Sequence, residues 1–81
     1  MIGSTSGWRV EEDGLVKRFQ FANFGESLAF VNKVGAIAEA ADHHPDLTVS
    51  YRRVTVSFTT HSEGGVTAKD LAGARLADSC A

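Results

Sequence analysis

Apolar and polar residues alternate, fall into helical spacing, then alternate again, and this succession predicts most of the fold. Trp8 and Val10 alternate with Arg9 and Glu11, the pattern of a first strand. Asp13-Gly14 is a hairpin signal. After it Leu15, Phe19 and Phe21 share one parity, interrupted by Lys17, with Val16, Arg18 and Gln20 on the other. Two antiparallel strands joined at Asp13-Gly14 are expected. Asn23 is a good helix N-cap, and Glu26, three residues on, completes a capping box. From there Phe24, Leu28, Val31, Val34 and Ala38 follow helical spacing, while Phe30, Ile37 and Ala41 widen the stripe beyond what one sheet contact requires. The excess suits either a subunit interface or a helix sunk deeper into its own core. Pro45 disfavours helical geometry in the residue before it, so the helix ends around Asp42 or His43.

Past Pro45 the run from Leu47 to Thr60 is strand-like. Its apolar residues are Leu47, Val49 and Tyr51, then Val54, Val56 and Phe58. That parity break at Arg52-Arg53 implies a bulge or a turn, and the lack of a turn-forming residue favours a bulge or an irregular lead-in. Ser62 to Gly65 reads as a loop. Thr67 caps a final helix with Asp70 at its third position, Val66 and Leu71 form a hydrophobic staple, and Leu71, Ala74 and Ala77 give it a thin apolar face. The predicted order is ββαβα. The fold class is α+β, an antiparallel β-sheet with helices packed on one face. Residues 1–81 form a single domain, in which the small, polar segment 1–6 is expected to be disordered.

Bulk properties remove several functions from consideration. The net charge is -2 and the cations are scattered apart from Arg52-Arg53, so a nucleic-acid partner is not expected. No apolar run approaches the ~20 residues that cross a bilayer, and no signal-peptide pattern opens the chain, so no membrane partner is expected either. The single cysteine, Cys80, stands beside the C-terminus, a poor place to hold a nucleophile. A soluble protein of a reducing cytoplasm is the economical reading. At 81 residues the chain buries a modest core, and oligomerisation would help it.

The chemistry rests on three histidines, His43 and His44 before Pro45, and His61 beyond the strand-like run. A returning strand could carry His61 back beside the other two. Imidazole is the side chain that both gives and takes a proton near neutrality, so two or three in one pocket suit a reaction needing an acid and a base together. A zinc site is the sharpest rival, but sequence neighbours seldom point the same way and no helical His-x-x-x-His spacing exists. A purely structural reading has His43 and His44 capping helix carbonyls, His61 as a polar strand end, and Asp70 as a capping acid. Asp42 either caps, is solvated, or orients an imidazole.

The motifs Asp42-His43-His44-Pro45, Tyr51, Thr60-His61, Thr67-x-x-Asp70-Leu71 and Leu76-Ala77 together resemble the pterin-4a-carbinolamine dehydratase family. Gly7-Trp8, Phe19, Phe21, Phe24, Phe30 and Ala38-Glu39 agree with it upstream, so the resemblance runs from Gly7 to about Ala77. It implies dehydration of a 4a-hydroxytetrahydropterin to the quinonoid dihydropterin, without metal or organic cofactor. It further implies His43 and His61 as the acid/base pair and His44 as the residue that binds and positions the pterin. Pro45 would shape the site, Thr60, Ser62 and Glu63 would lie on the lining loop, and Glu39, Asp42 and Asp70 would be supporting carboxylates. A homodimer or homotetramer is implied as well. Some members serve instead as a coactivator or dimerisation module, and a pterin-binding role in molybdopterin metabolism is a third alternative. Lys69 stands where the family often has arginine, Leu47 where it often has an aromatic, and Val49 where it often has a polar residue. The helix that usually precedes the Gly-Trp pair is not found here, which would expose one edge of the sheet or weaken assembly.

Overall fold

A computed structural model of the chain describes residues 7–11, 14–60 and 64–81. The elements are β1 (Arg9–Glu11), β2 (Gly14–Gln20), α1 (Phe24–Ala41), β3 (Asp46–Ser50), β4 (Arg53–Phe58) and α2 (Ala68–Cys80). The strands form one antiparallel sheet in the order β1-β2-β4-β3. Phe30 and Val34 of α1, Ala74 and Ala77 of α2, and Phe19, Val54, Val56 and Phe58 of the sheet belong to one buried cluster. The α+β class and the helices packed on the sheet are as expected.

The hairpin before α1 forms with Glu11 paired to Gly14, so Gly14 is the first residue of a strand rather than part of the turn. A Cβ at Gly14 would meet Ser57 Oγ at 2.7 Å, a steric reason for glycine there. Asp13 lies outside the described residues. Lys17, which interrupts the apolar parity of β2, stays on the core side: its ammonium lies 4.8 Å from the Phe19 ring centroid and 2.9 Å from Asp78 Oδ1. A long stem over an aromatic face with the charge at the rim explains how a lysine occupies that row. The alternation expected of β1 holds only in part. Trp8 is buried and donates from Nε1 to Asp78 Oδ2, but Val10, on the edge strand, is 67 % exposed.

The parity break after β3 is a turn, not a bulge, which corrects the predicted order to ββαββα. Ser50 pairs with Arg53, leaving Tyr51-Arg52 as a two-residue loop. Tyr51 takes a φ of 55°, a left-handed conformation unusual for an aromatic residue. Its ring lies 6.4 Å from that of Phe24, and the Arg52 guanidinium is 5.8 Å from it. Leu47 therefore faces Val56, and Val49 faces Val54. Odd residues on one strand meet even residues on the next, and that is what the parity switch recorded.

Asn23 caps α1 as expected, its side chain accepting from Glu26 N–H, while the Glu26 carboxylate reaches back to Ala22 N–H rather than to Asn23. Ser27, Phe30, Val34 and Ala38 form the buried face of α1. Phe24 and Leu28 remain 45 % and 43 % exposed, so the broad stripe is not explained by deeper burial of the helix.

Candidate active site

The site starts where α1 stops. Asp42 adopts φ 54°, ψ 39°, and its N–H donates to Glu39 O while His43 N–H donates to Ala38 O, each at 3.2 Å. These two bonds form a Schellman motif, in which one left-handed residue closes the last turn and reverses the chain. Aspartate tolerates that conformation better than most side chains. The carbonyls at this end of α1 are thus capped by backbone N–H groups, not by imidazoles. Asp42 serves through its backbone; among the described residues its carboxylate orients neither histidine.

The reversal brings His43 to the first turn of α2. Its Nε2 lies 2.6 Å from Asp70 Oδ1, and its ring lies nearly parallel to that of Phe58, 17° between planes and 5.9 Å between centroids. Asp70 is fully buried. Its second oxygen, Oδ2, accepts from Thr67 N–H at 2.7 Å and from Thr60 Oγ1 at 2.9 Å. With the Thr60 hydroxyl donating to Asp70, the Thr67 hydroxyl donates to Thr60 Oγ1 at 2.9 Å and accepts from Lys69 N–H at 3.3 Å. One carboxylate therefore performs two tasks: Oδ2 closes the capping box of α2 and Oδ1 holds an imidazole. The capping box expected at Asp70 is present, and the same carboxylate also contacts His43.

Burial by itself would raise the Asp70 carboxyl. The hydrogen bonds from His43, Thr67 and Thr60 outweigh it and hold the carboxyl below its ordinary range. The position at a helix N-terminus favours the anion as well. Beside an ionised Asp70, the neutral form of the His43 ring would donate from Nε2 and present Nδ1 as the acceptor, the arrangement required of a general base.

His44 is held differently. Its Nε2 lies 2.5 Å from Glu39 Oε1, but both side chains are mostly in water. Pro45 is half-buried beside it. His61, Ser62 and Glu63 fall outside the described residues, so the expected convergence of His61 on the other two is not part of this geometry. The chain on either side of them is fixed: Thr60 and Gly65 exchange backbone hydrogen bonds at 2.9 and 3.2 Å, and Thr60 Oγ1 sits on Asp70. Among the described residues no three His, Cys, Asp or Glu side chains form a metal-binding group.

A cleft of about 350 Å³ opens between α1 and α2, with His43, Phe58, Lys69, Ile37 and Leu76 among its walls. It lies in the size range of small-molecule sites and is mostly apolar. One contributor escaped sequence reasoning: Phe58, a wall of the cleft stacked beside His43, reads as an ordinary core position of an alternating strand.

Comparison with known proteins identifies the family. Residues 2–80 match the family model described as Pterin 4 alpha carbinolamine dehydratase. Relatives provisionally named pterin-4-alpha-carbinolamine dehydratase include one from Sulfolobus acidocaldarius, 53 % identical over 70 residues, covering 86 % of this chain and 77 % of the relative. Another from Thermomicrobium roseum is 51 % identical over 75 residues, covering 93 % and 81 %. The crystal structure of a transcriptional coactivator/pterin dehydratase from Brucella melitensis superposes with a TM-score of 0.89 at 35 % identity, over 94 % of this chain and 83 % of that one. A pterin dehydratase-like RuBisCO assembly factor of the alpha-carboxysome shares the fold, with a TM-score of 0.79 at 22 % identity over 95 % and 92 %. With a family match across nearly its whole length and relatives sharing half their residues, the chain belongs to the pterin 4 alpha carbinolamine dehydratase family.

Proposed function

We propose that the chain removes water from a 4a-hydroxytetrahydropterin. In that reaction the C4a–O bond breaks and the leaving hydroxyl departs as water with one added proton. The adjacent ring N–H gives up its proton, yielding the quinonoid dihydropterin. His43 and His61 are the acid/base pair, His44 binds and positions the substrate, Pro45 shapes the site, and Thr60, Ser62 and Glu63 line it. No metal or organic cofactor enters the scheme. The observation that carries the reading is the 2.6 Å contact from His43 Nε2 to a buried, hydrogen-bonded Asp70. It fixes a tautomer, and a helix-capping acid alone has no need of that. Stopped-flow measurement with freshly generated 4a-hydroxytetrahydropterin, with and without a chelator, tests the proposal. Dehydration faster than the spontaneous rate and insensitive to chelator is expected, and His43→Ala should lower it by about 100-fold, the scale of general acid–base help. A wild-type protein that leaves the spontaneous rate unchanged would end the proposal.

A second reading, a dimerisation or coactivator module, draws on the exposed pair Phe24 and Leu28, one turn apart on α1, and on the name of the Brucella melitensis neighbour. It is compatible with catalysis if that face joins copies of the chain into a homodimer or homotetramer. Sedimentation would find an assembly that Leu28→Lys disrupts, and a wild-type monomer would remove this role. No helix among the described residues is long and apolar enough to cross a membrane, and the lone Cys80 suits the reducing cytoplasm proposed as its location.

A further inference from the structure

Gly73 lies in the middle of α2, where glycine is unfavourable relative to alanine. A Cβ there would stand 2.6 Å from Phe58 Cε1, 2.8 Å from Cζ and 2.9 Å from Cδ1. Carbon atoms pack at about 3.5–4.0 Å, so any side chain at 73 must push the ring by roughly 1 Å. The ring is confined. It is 2 % exposed, with Trp8 at 6.2 Å between centroids and the His43 imidazole at 5.9 Å.

The hydrogen bond from Nε2 to Asp70 fixes one atom of His43 but leaves the imidazole able to swing about that contact. A flat neighbour lying nearly parallel to it removes the remaining freedom. We propose that Gly73 and Phe58 act together as positioning residues for His43: the absent side chain at 73 admits the phenyl ring, and the ring sets the plane of the imidazole. The inference rests on the proton-transfer role given to His43 above. It predicts that the geometry of the reacting nitrogen is governed from the middle of α2, through the Phe58 ring.

The test compares Gly73→Ala with Gly35→Ala, since a Cβ at Gly35 meets nothing within 4 Å. Two readouts are taken on the full chain: dehydration kinetics with fresh 4a-hydroxytetrahydropterin, and ring ¹⁵N shifts of His43, which respond to the geometry of its hydrogen bond to Asp70. Gly73→Ala should lower kcat by about 10- to 100-fold with KM within twofold, the scale expected of a misplacement near 1 Å. Its His43 ring nitrogens should shift from their wild-type positions as the imidazole turns about the Asp70 contact, and Gly35→Ala should match wild type in both. Phe58→Leu, which removes the ring without overlap, should reproduce the loss and carries the test if Gly73→Ala does not fold. Unchanged His43 shifts in a folded variant would overturn the proposal even if turnover fell, because that would be a general structural effect. If the wild-type chain shows no dehydration, the nitrogen shifts alone decide.

Discussion

His43 and His44 are covalent neighbours, and each has a carboxylate oxygen against Nε2, at 2.6 Å from Asp70 and 2.5 Å from Glu39. Their surroundings separate them. The His43 and Asp70 side chains are 17 % and 0 % exposed, whereas those of His44 and Glu39 are 54 % and 78 % exposed. An ion pair in water is screened and gives up side-chain entropy to form, so it contributes little. A buried carboxylate with every oxygen committed is rigid and costly to disturb. The sequence of two identical residues thus yields one imidazole oriented from within the fold and one paired to a carboxylate at the surface.

The comparison breaks most severely at Asp70. Asp70→Ala strands the Thr67 N–H, the Thr60 hydroxyl and the His43 N–H, and should cost about 3 kcal/mol of stability by denaturant unfolding, in the range for breaking a buried pair. Because its folded pKa is depressed, Asp70 contributes stability in full above its ordinary value of 3.8, and that contribution is lost as pH falls through the lower folded value. The stability gap between wild type and Asp70→Asn should therefore hold from neutrality down to about pH 5 and close in stronger acid. A gap that closes on going upward from neutrality would contradict this assignment of the anion. Next in size, His44→Ala should raise KM several-fold while leaving kcat near wild type, in contrast to the loss expected for His43→Ala. Equal losses in kcat would erase the distinction between the neighbours. Smallest is Glu39→Gln, expected to change stability by less than about 0.5 kcal/mol in thermal unfolding.

The sequence was most legible where one local rule had a single outcome. Asn23 and Thr67 cap their helices as their spacing to Glu26 and Asp70 foretells, although Glu26 closes onto Ala22. The parity switch between Val49 and Val54 was real, but its cause was misread. A two-residue hairpin and a bulge flip parity alike, and Tyr51 occupies a conformation that glycine or asparagine would announce. At the site, the pairing of Glu39 with His44 and Asp70 with His43 needed the Schellman reversal, which has no side-chain signature beyond Asp42 itself. Phe58 and Gly73 were invisible for another reason: their contact joins a strand to a helix fifteen residues away, and a mid-helix glycine does not say which ring it admits.

The doubled duty of Asp70 ties local helix order to chemical readiness. When the opening turn of α2 frays, the Thr67 N–H leaves Oδ2 and the carboxylate loses the fixed bearing that aims it at His43. Warming should accordingly abolish turnover some degrees before the sheet melts. On the proposed dehydratase reading, the start of the last helix is a latch that aims Asp70 at His43 only while it stays wound.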